Sequence, residues 1–147
     1  MLKHRNIIKI FFVLMIFVVA CSNKTVKIIE NKYPDGFPQI VNYYKIVDGD
    51  SILIMQTAYY DNHNKKYEGK FLNNKRNGKW TYWFENGNKW SVGIFKNGIN
   101  EGKRTVWYEN GQKHYDAIYK NGERAGEWVF YDINGNVLKK INYDKKN

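Results

Sequence analysis

What this chain has little of narrows it first. A single cysteine in 147 residues, Cys21, allows no internal disulfide, so the fold must hold by packing and hydrogen bonding. There are only two prolines, Pro34 and Pro38. Proline has no N–H for a sheet ladder, so a strand beginning at Pro38 is expected at an edge. Past the first 20 residues the only histidines are His63 and His114, and no His, Cys, Asp and Glu cluster has metal-ligand spacing. Gly-x-Ser-x-Gly elbow, phosphate loop and dinucleotide fingerprint are all missing. Glu85, Glu109 and Asp132 recur at matching places beside turns, which they serve, whereas a catalytic carboxylate pair needs two unlike environments. The expectation is a protein that is not an enzyme, without catalytic residues, metal or cofactor.

Long apolar runs are also scarce. The one present, Ile10 to Ala20, follows Lys3, His4, Arg5 and Lys9. It falls short of the roughly 20 residues of a membrane helix and has the charged start and short apolar core of a secretory signal. It ends in Val18-Val19-Ala20-Cys21, which resembles the lipobox of bacterial lipoproteins. That resemblance implies cleavage before Cys21, lipid on the new N-terminus, export, and a membrane as partner in the cell envelope. Ser22, where an aspartate would imply retention at the inner membrane, points to the outer membrane in a cell that has one. Residues 22–32 are mostly polar and lack a period, which reads as a tether. The organisation expected is therefore a signal peptide at 1–20, a tether at 21–32 and a β domain at 33–147.

Acidic residues are in deficit, 14 against 24 lysines and arginines, for a net charge of +10. Loss of Lys3, Arg5 and Lys9 with the signal takes three charges from that and leaves +7. A basic exported surface could meet anionic lipid or an acidic wall polymer, while nucleic acid is not an expected partner. Lysines at strand edges also keep a long sheet from aggregating, which accounts for the same charge without a ligand.

Against these shortages stands an aromatic content of 17% and one phrase written three times. GKWTYWFENG at Gly78 returns as GKRTVWYENG at Gly102 and GEWVFYDING at Gly126, a constant period of 24 residues. Each unit holds two short aromatic and β-branched runs around an Asn-Gly pair, the signature of a hairpin. Earlier copies are visible: Tyr33–Lys45 aligns with Tyr108–Lys120, and the run from Tyr59 to Asn64 matches Trp83 to Asn88. His63 there replaces the turn glycine, so that turn is expected to be distorted or of another type, with His63 a turn residue rather than a ligand. The fold expected is all-β, an elongated antiparallel meander of stacked hairpins with about nine strands from Pro38 onward. Strands are expected near 65–72, 79–84, 89–96, 103–109, 113–120, 127–132 and 137–143.

Glycine-punctuated aromatic hairpins with the pattern G-K/E-x-x-x-W/Y-Y/F-x-N-G resemble the variant MORN repeat of bacterial proteins, over Tyr33 to Tyr143. Relatives in that family range from plain lipoproteins to proteins labelled YwqK-like antitoxin components. The resemblance implies the repeat fold and leaves function open, and the export signal departs from a cytoplasmic antitoxin.

A two-residue Asn86-Gly87 turn would set Trp80 opposite Gly93 and Trp83 opposite Trp90. One face then carries Trp80, Tyr82, Phe84 and Phe95, with Val106, Ala117, Tyr119 and Trp128, and is expected to be packed. The other carries Trp83, Trp90, Trp107, His114 and Tyr131 among charges, either as a ladder of rings that stiffens the sheet or as anchors for a partner. The expected function is a non-catalytic, lipid-anchored envelope module for binding or scaffolding, with an unidentified protein partner. The alternatives are an antitoxin or immunity-like protein that sequesters a toxin, and a binder of anionic lipid or cell-wall polymer.

Overall fold

A computed structural model describes residues 24–145; the signal segment and the expected lipidation site Cys21 lie outside the described residues. Ten strands form one antiparallel sheet in simple sequence order. They are β1 (Thr25–Lys32), β2 (Pro38–Val47), β3 (Asp50–Tyr59), β4 (Lys65–Leu72), β5 (Lys75–Trp83), β6 (Lys89–Lys96), β7 (Ile99–Trp107), β8 (Lys113–Lys120), β9 (Glu123–Tyr131) and β10 (Val137–Asn142). The described residues contain no helix, and the all-β meander is as expected.

Two kinds of turn alternate along the sheet and set its register. At one end are tight two-residue turns, Asp48-Gly49, Asn97-Gly98 and Asn121-Gly122, with both residues at positive φ. That is the type I′ geometry, whose twist matches paired strands. Asn73-Asn74 makes the same turn with asparagine in the glycine's place. These turns take so few residues that β5, β7 and β9 begin at Lys75, Ile99 and Glu123, four residues before the expected starts. Tyr33 precedes Tyr108 by 75 residues, three periods plus three, and these three extra residues, expected around Val47-Asp48-Gly49-Asp50, do not enlarge the Asp48-Gly49 turn. They lengthen β2 and β3, each of 10 residues.

At the other end are five three-residue loops with one hydrogen-bond pattern. In Phe84–Asn88 the Phe84 N–H donates to the Asn88 carbonyl at 2.8 Å, and the Gly87 N–H donates to the Phe84 carbonyl at 3.0 Å. Only Gly87 has positive φ, +88°. This is a type I turn closed by a left-handed glycine bulge, not the two-residue turn expected from Asn86-Gly87. The same pattern closes Tyr33–Phe37, Tyr60–Asn64, Tyr108–Gln112 and Asp132–Asn136. The turn at His63 is therefore the regular one, with His63 held at φ +69°.

The loops are stitched to one another. The side-chain N–H groups of Asn62, Asn86 and Asn110 donate to the carbonyls of Glu85, Glu109 and Ile133 in the next loop. Hydroxyls of Tyr33, Tyr60 and Tyr108 donate to the carbonyls of Tyr59, Trp83 and Tyr131 at 2.8–2.9 Å. Carbonyls in the loops and at the strand ends beside them find donors this way.

Two expectations for the first strands are corrected. Thr25–Lys32, inside the segment read as a tether, is β1 and pairs with β2 from Thr25↔Lys45 to Lys32↔Pro38. With β1 on one side and β3 on the other, β2 is not an edge. Pro38 is tolerated because it sits at the first position of its strand, next to the loop.

The sheet is a single layer, so its core is made by side chains lying across neighbouring strands. On one face, here called the ring face, a register row runs Asn42, Gln56, Gly69, Trp80, Gly93, Arg104, Ala117. The Trp80 indole lies on Gly69 so closely that a Cβ added there would be 2.1 Å from Cδ2. Its Nε1 donates to the Lys70 carbonyl at 3.0 Å, at the bulge that follows Gly69. Trp128 repeats the arrangement, with Nε1 on the Ile118 carbonyl at 3.0 Å. Phe71 and Phe95 flank Trp80, and Tyr119 and Tyr143 flank Trp128, edge-on at 5.2–6.2 Å. The tryptophans are only 3% and 4% exposed, which is where a sheet without a covering layer has its apolar burial.

Candidate functional site

The opposite face is built on a second register row that crosses all ten strands: Ile29, Val41, Thr57, Glu68, Thr81, Val92, Thr105, Asp116, Val129, Lys140. Threonine and valine suit a pleated, half-covered surface. Thr57, Thr81 and Thr105 are buried under longer neighbours. This is the threonine face.

Toward the three-residue loops, two residues from the row on β3, β5, β7 and β9 and three on β4, β6 and β8, where the bulge adds one, rings and lysines alternate. Tyr59 pairs with Lys65, Trp83 with Lys89 and Trp107 with Lys113. The Lys65 ammonium lies 5.7 Å from the Trp83 ring centre, and Lys113 lies 5.7 Å from that of Tyr131. Cation–ring contacts of this kind contribute about 0.5–1 kcal/mol at exposed sites. From β3 to β9 the face thus presents ring, lysine, ring, lysine on successive strands.

Of the five expected partner-contacting residues, Trp83, Trp107 and Tyr131 belong to this stripe. The structure puts Trp90 and His114 on the ring face. The loop bulge makes Lys89 rather than Trp90 the partner of Trp83, and Lys113 rather than His114 the partner of Trp107. The residue skipped by the ladder turns to the other side. Trp90, 45% exposed, leans on Tyr82 at 5.9 Å and Phe84 at 6.3 Å. His114 lies on Tyr108 at 4.4 Å.

The lysines of the stripe were missed by sequence reasoning, although Lys65, Lys89 and Lys113 recur at the 24-residue period and were there to be read. Their electrostatics differ. Lys65 is bound to Glu68 at 2.7 Å and Lys113 to Asp116 at 2.8 Å. In both, the carboxylate hydrogen bond holds the ammonium pKa above its ordinary value. Burial pushes the Asp116 carboxyl up, but its hydrogen bonds with Lys113 and Thr105, the latter at 2.6 Å, outweigh that and leave it below the usual range. Lys103 adds a looser contact at 3.9 Å. Between these two neutralised places stands Val92, in the row position that Glu68 and Asp116 hold to either side. Lys89, Lys70 and Lys79 accordingly have no ion-pair partner among the described residues.

Those three lysines line a hollow of about 380 Å³ together with Trp83, Thr81, Met55 and Glu68. The arrangement offers ammonium donors and an aromatic wall. No group of three or more His, Cys, Asp and Glu that could hold a metal occurs among the described residues.

Residues 76–97, 100–121 and 124–145 match the family model described as a MORN repeat variant. Each matched segment is one hairpin about a three-residue loop: β5 with β6, β7 with β8, β9 with β10. No curated protein matches the chain.

Proposed function

We propose that this chain is a non-catalytic binding module of the cell envelope, held by lipid on Cys21, with the threonine face as its working surface. The observation that carries the reading is the stripe of alternating rings and lysines across seven strands, set on the face opposite the one where Trp80 and Trp128 are packed. A repeated sheet gives an extended, rigid array of like contacts, which suits a long partner better than a small substrate. The matched repeats support a binding or scaffold role at that coarse level. The lipobox-like Val18-Val19-Ala20-Cys21 supports the anchor.

The test is made in a bacterium with the full chain. The mature N-terminus is expected at Cys21, carrying fatty acid, and Cys21→Ser is expected to lose the label. Cross-linking in intact envelopes should capture a component that the Trp83→Ala, Trp107→Ala, Tyr131→Ala triple variant loses while its circular dichroism is unchanged. An intact Met1 in the mature protein sinks the anchor, and an unchanged cross-link in the triple variant sinks the surface.

A further inference from the structure

We propose that the threonine face binds an acidic polysaccharide, with the carboxylate of one sugar held in the hollow beside Trp83. The proposal rests on the reading above that this face is the binding surface, and it names the partner. Three features of the site bear on it.

The first is charge. Lys70, Lys79 and Lys89 converge on one hollow with no ion-pair partner among the described residues. Glu68, the one carboxylate in the lining, is already bound to Lys65. The lysines are neutralised on either side by Glu68 and Asp116, and Val92 leaves the middle of the stripe uncompensated. An anion brought there meets a concentrated positive site rather than a diffuse basic surface.

The second is shape and wall chemistry. The hollow is of a size to take a small ligand. Trp83 and Met55 supply apolar wall, and Thr81 supplies a hydroxyl. Sugar rings offer apolar C–H faces with hydroxyls at the rim, so a ring bearing a carboxylate matches rings, hydroxyl and ammonium together.

The third is pitch. Trp83, Trp107 and Tyr131 stand on alternate strands β5, β7 and β9, so successive rings are two strand spacings apart, about 9.5 Å. That is about the length of one disaccharide, and a polymer with one carboxylate per disaccharide would present a sugar to each ring in turn. An extended peptide repeats its same-side groups at about 6.6 Å and falls out of step. A bilayer has no pitch and does not enter a hollow.

The experiment titrates the full chain in detergent micelles with an octasaccharide of alternating glucuronate and N-acetylhexosamine, read by calorimetry. Parallel titrations use a neutral N-acetylglucosamine oligomer of equal length, inorganic phosphate, and phosphatidylcholine vesicles containing phosphatidylglycerol. Binding of the acidic oligomer alone is expected. Lys79→Gln with Lys89→Gln should weaken it about tenfold, the size of two exposed ion pairs. Lys66→Gln with Lys139→Gln, the same charge removed from the ring face, should change it by less than about twofold. The proposal is overturned by equal binding of the neutral oligomer, by binding of phosphate or vesicles in its place, by equal loss in the control variant, or by no binding. If Cys21 proves unlipidated but the acidic oligomer binds, the anchor falls and this inference stands. If the oligomer does not bind while the triple ring variant still loses its envelope partner, this inference falls alone.

Discussion

Strands β1–β4 and strands β5–β10 belong to one sheet with one set of loops, yet their ring-face interiors are made of different chemistry. In the matched repeats a large flat group lies across a small one: Trp80 on Gly69, the Arg104 side chain against Gly93. The Arg104 Nε donates to Ser91 and its Nη1 to Asn100, so the cation is tied down by hydrogen bonds where the tryptophans are held by neighbouring rings. At the same row position nearer the N-terminus, Gln56 and Asn42 face each other. Gln56 donates to Asn42 at 2.8 Å and accepts from the Tyr67 hydroxyl at 2.9 Å, and Asn42 donates on to Glu30. The lesson is that the backbone track, with its alternating turns and bulges, tolerates either filling. The family model matches the hairpins filled by Trp80, Arg104 and Trp128, with Gly87, Gly111 and Gly135 in their loops, while the loop geometry carries on outside them through His63 and Gly36.

The two fillings should differ most in what they contribute to stability. Trp80→Ala removes a fully buried indole flanked by Phe71 and Phe95 and is expected to cost about 3–5 kcal/mol. Gln56→Ala leaves the Asn42 carbonyl oxygen and the Tyr67 hydroxyl short of a partner near the surface, for about 1–2 kcal/mol. Urea midpoints at constant slope measure both. Equal losses would mean that the amide network is as much a core as the indole, and the contrast would dissolve.

A finer cut lies within the repeats. Gly69→Ala would drive a methyl group into the Trp80 ring, which is pinned by its own hydrogen bond and by rings on two sides, and is expected to cost about 2–3 kcal/mol. Gly93→Ala meets the flexible Arg104 stem at 3.3 Å, which can give way, so the cost should be under about 1 kcal/mol. Ala117 already stands at the row position that follows Arg104. A Gly93→Ala protein as unstable as Gly69→Ala would show that backbone, not the facing side chain, demands the glycine.

Much of this was legible in the chain. The period, the hairpins, the buried Trp80 and Trp128 and the column of rings from Phe71 to Tyr143 follow from spacing and from small residues opposite large ones. Three things did not show. β1 reads as polar because most of Thr25–Lys32 is exposed in an edge strand, so alternation has nothing to bury. The early starts of β5, β7 and β9 were hidden by Gly78, Gly102 and Gly126, which sit at positive φ inside strands rather than in turns. Trp90 and His114 were put on the wrong face because Asn-Gly fits both a two-residue turn and the tail of a three-residue loop. The bulge takes up the extra residue, so Trp80↔Gly93 and the other pairs beyond it keep the expected register and only the skipped residue changes face.

The smallest effect expected, and the sharpest for the comparison, is at the loop position where the two regions differ by one residue. His63 pays for its left-handed backbone with about 1 kcal/mol relative to glycine. In return its imidazole stacks on Phe37 at 3.9 Å between centres and meets Asp35 at 2.6 Å. Stacking contributes about 0.5–1.5 kcal/mol, so His63→Gly should leave stability within about 0.5 kcal/mol of the wild type. Gly87→His makes the reverse change in a matched repeat. No ring takes the part of Phe37 there, and a Cβ would meet only the Asn64 amide at 3.6 Å. The backbone strain then stands uncompensated, and a loss of about 1 kcal/mol is expected. Asp35 is held below the usual carboxylate range by the Phe37 N–H and then by His63, so any contribution of that pair is present at neutral pH and is lost as acid protonates Asp35. Thermal melts of both variants at neutral pH decide the matter. Should His63→Gly stabilise the chain as much as Gly87→His destabilises it, the Phe37 and Asp35 contacts contribute nothing and the N-terminal loops are merely degraded copies of the repeat.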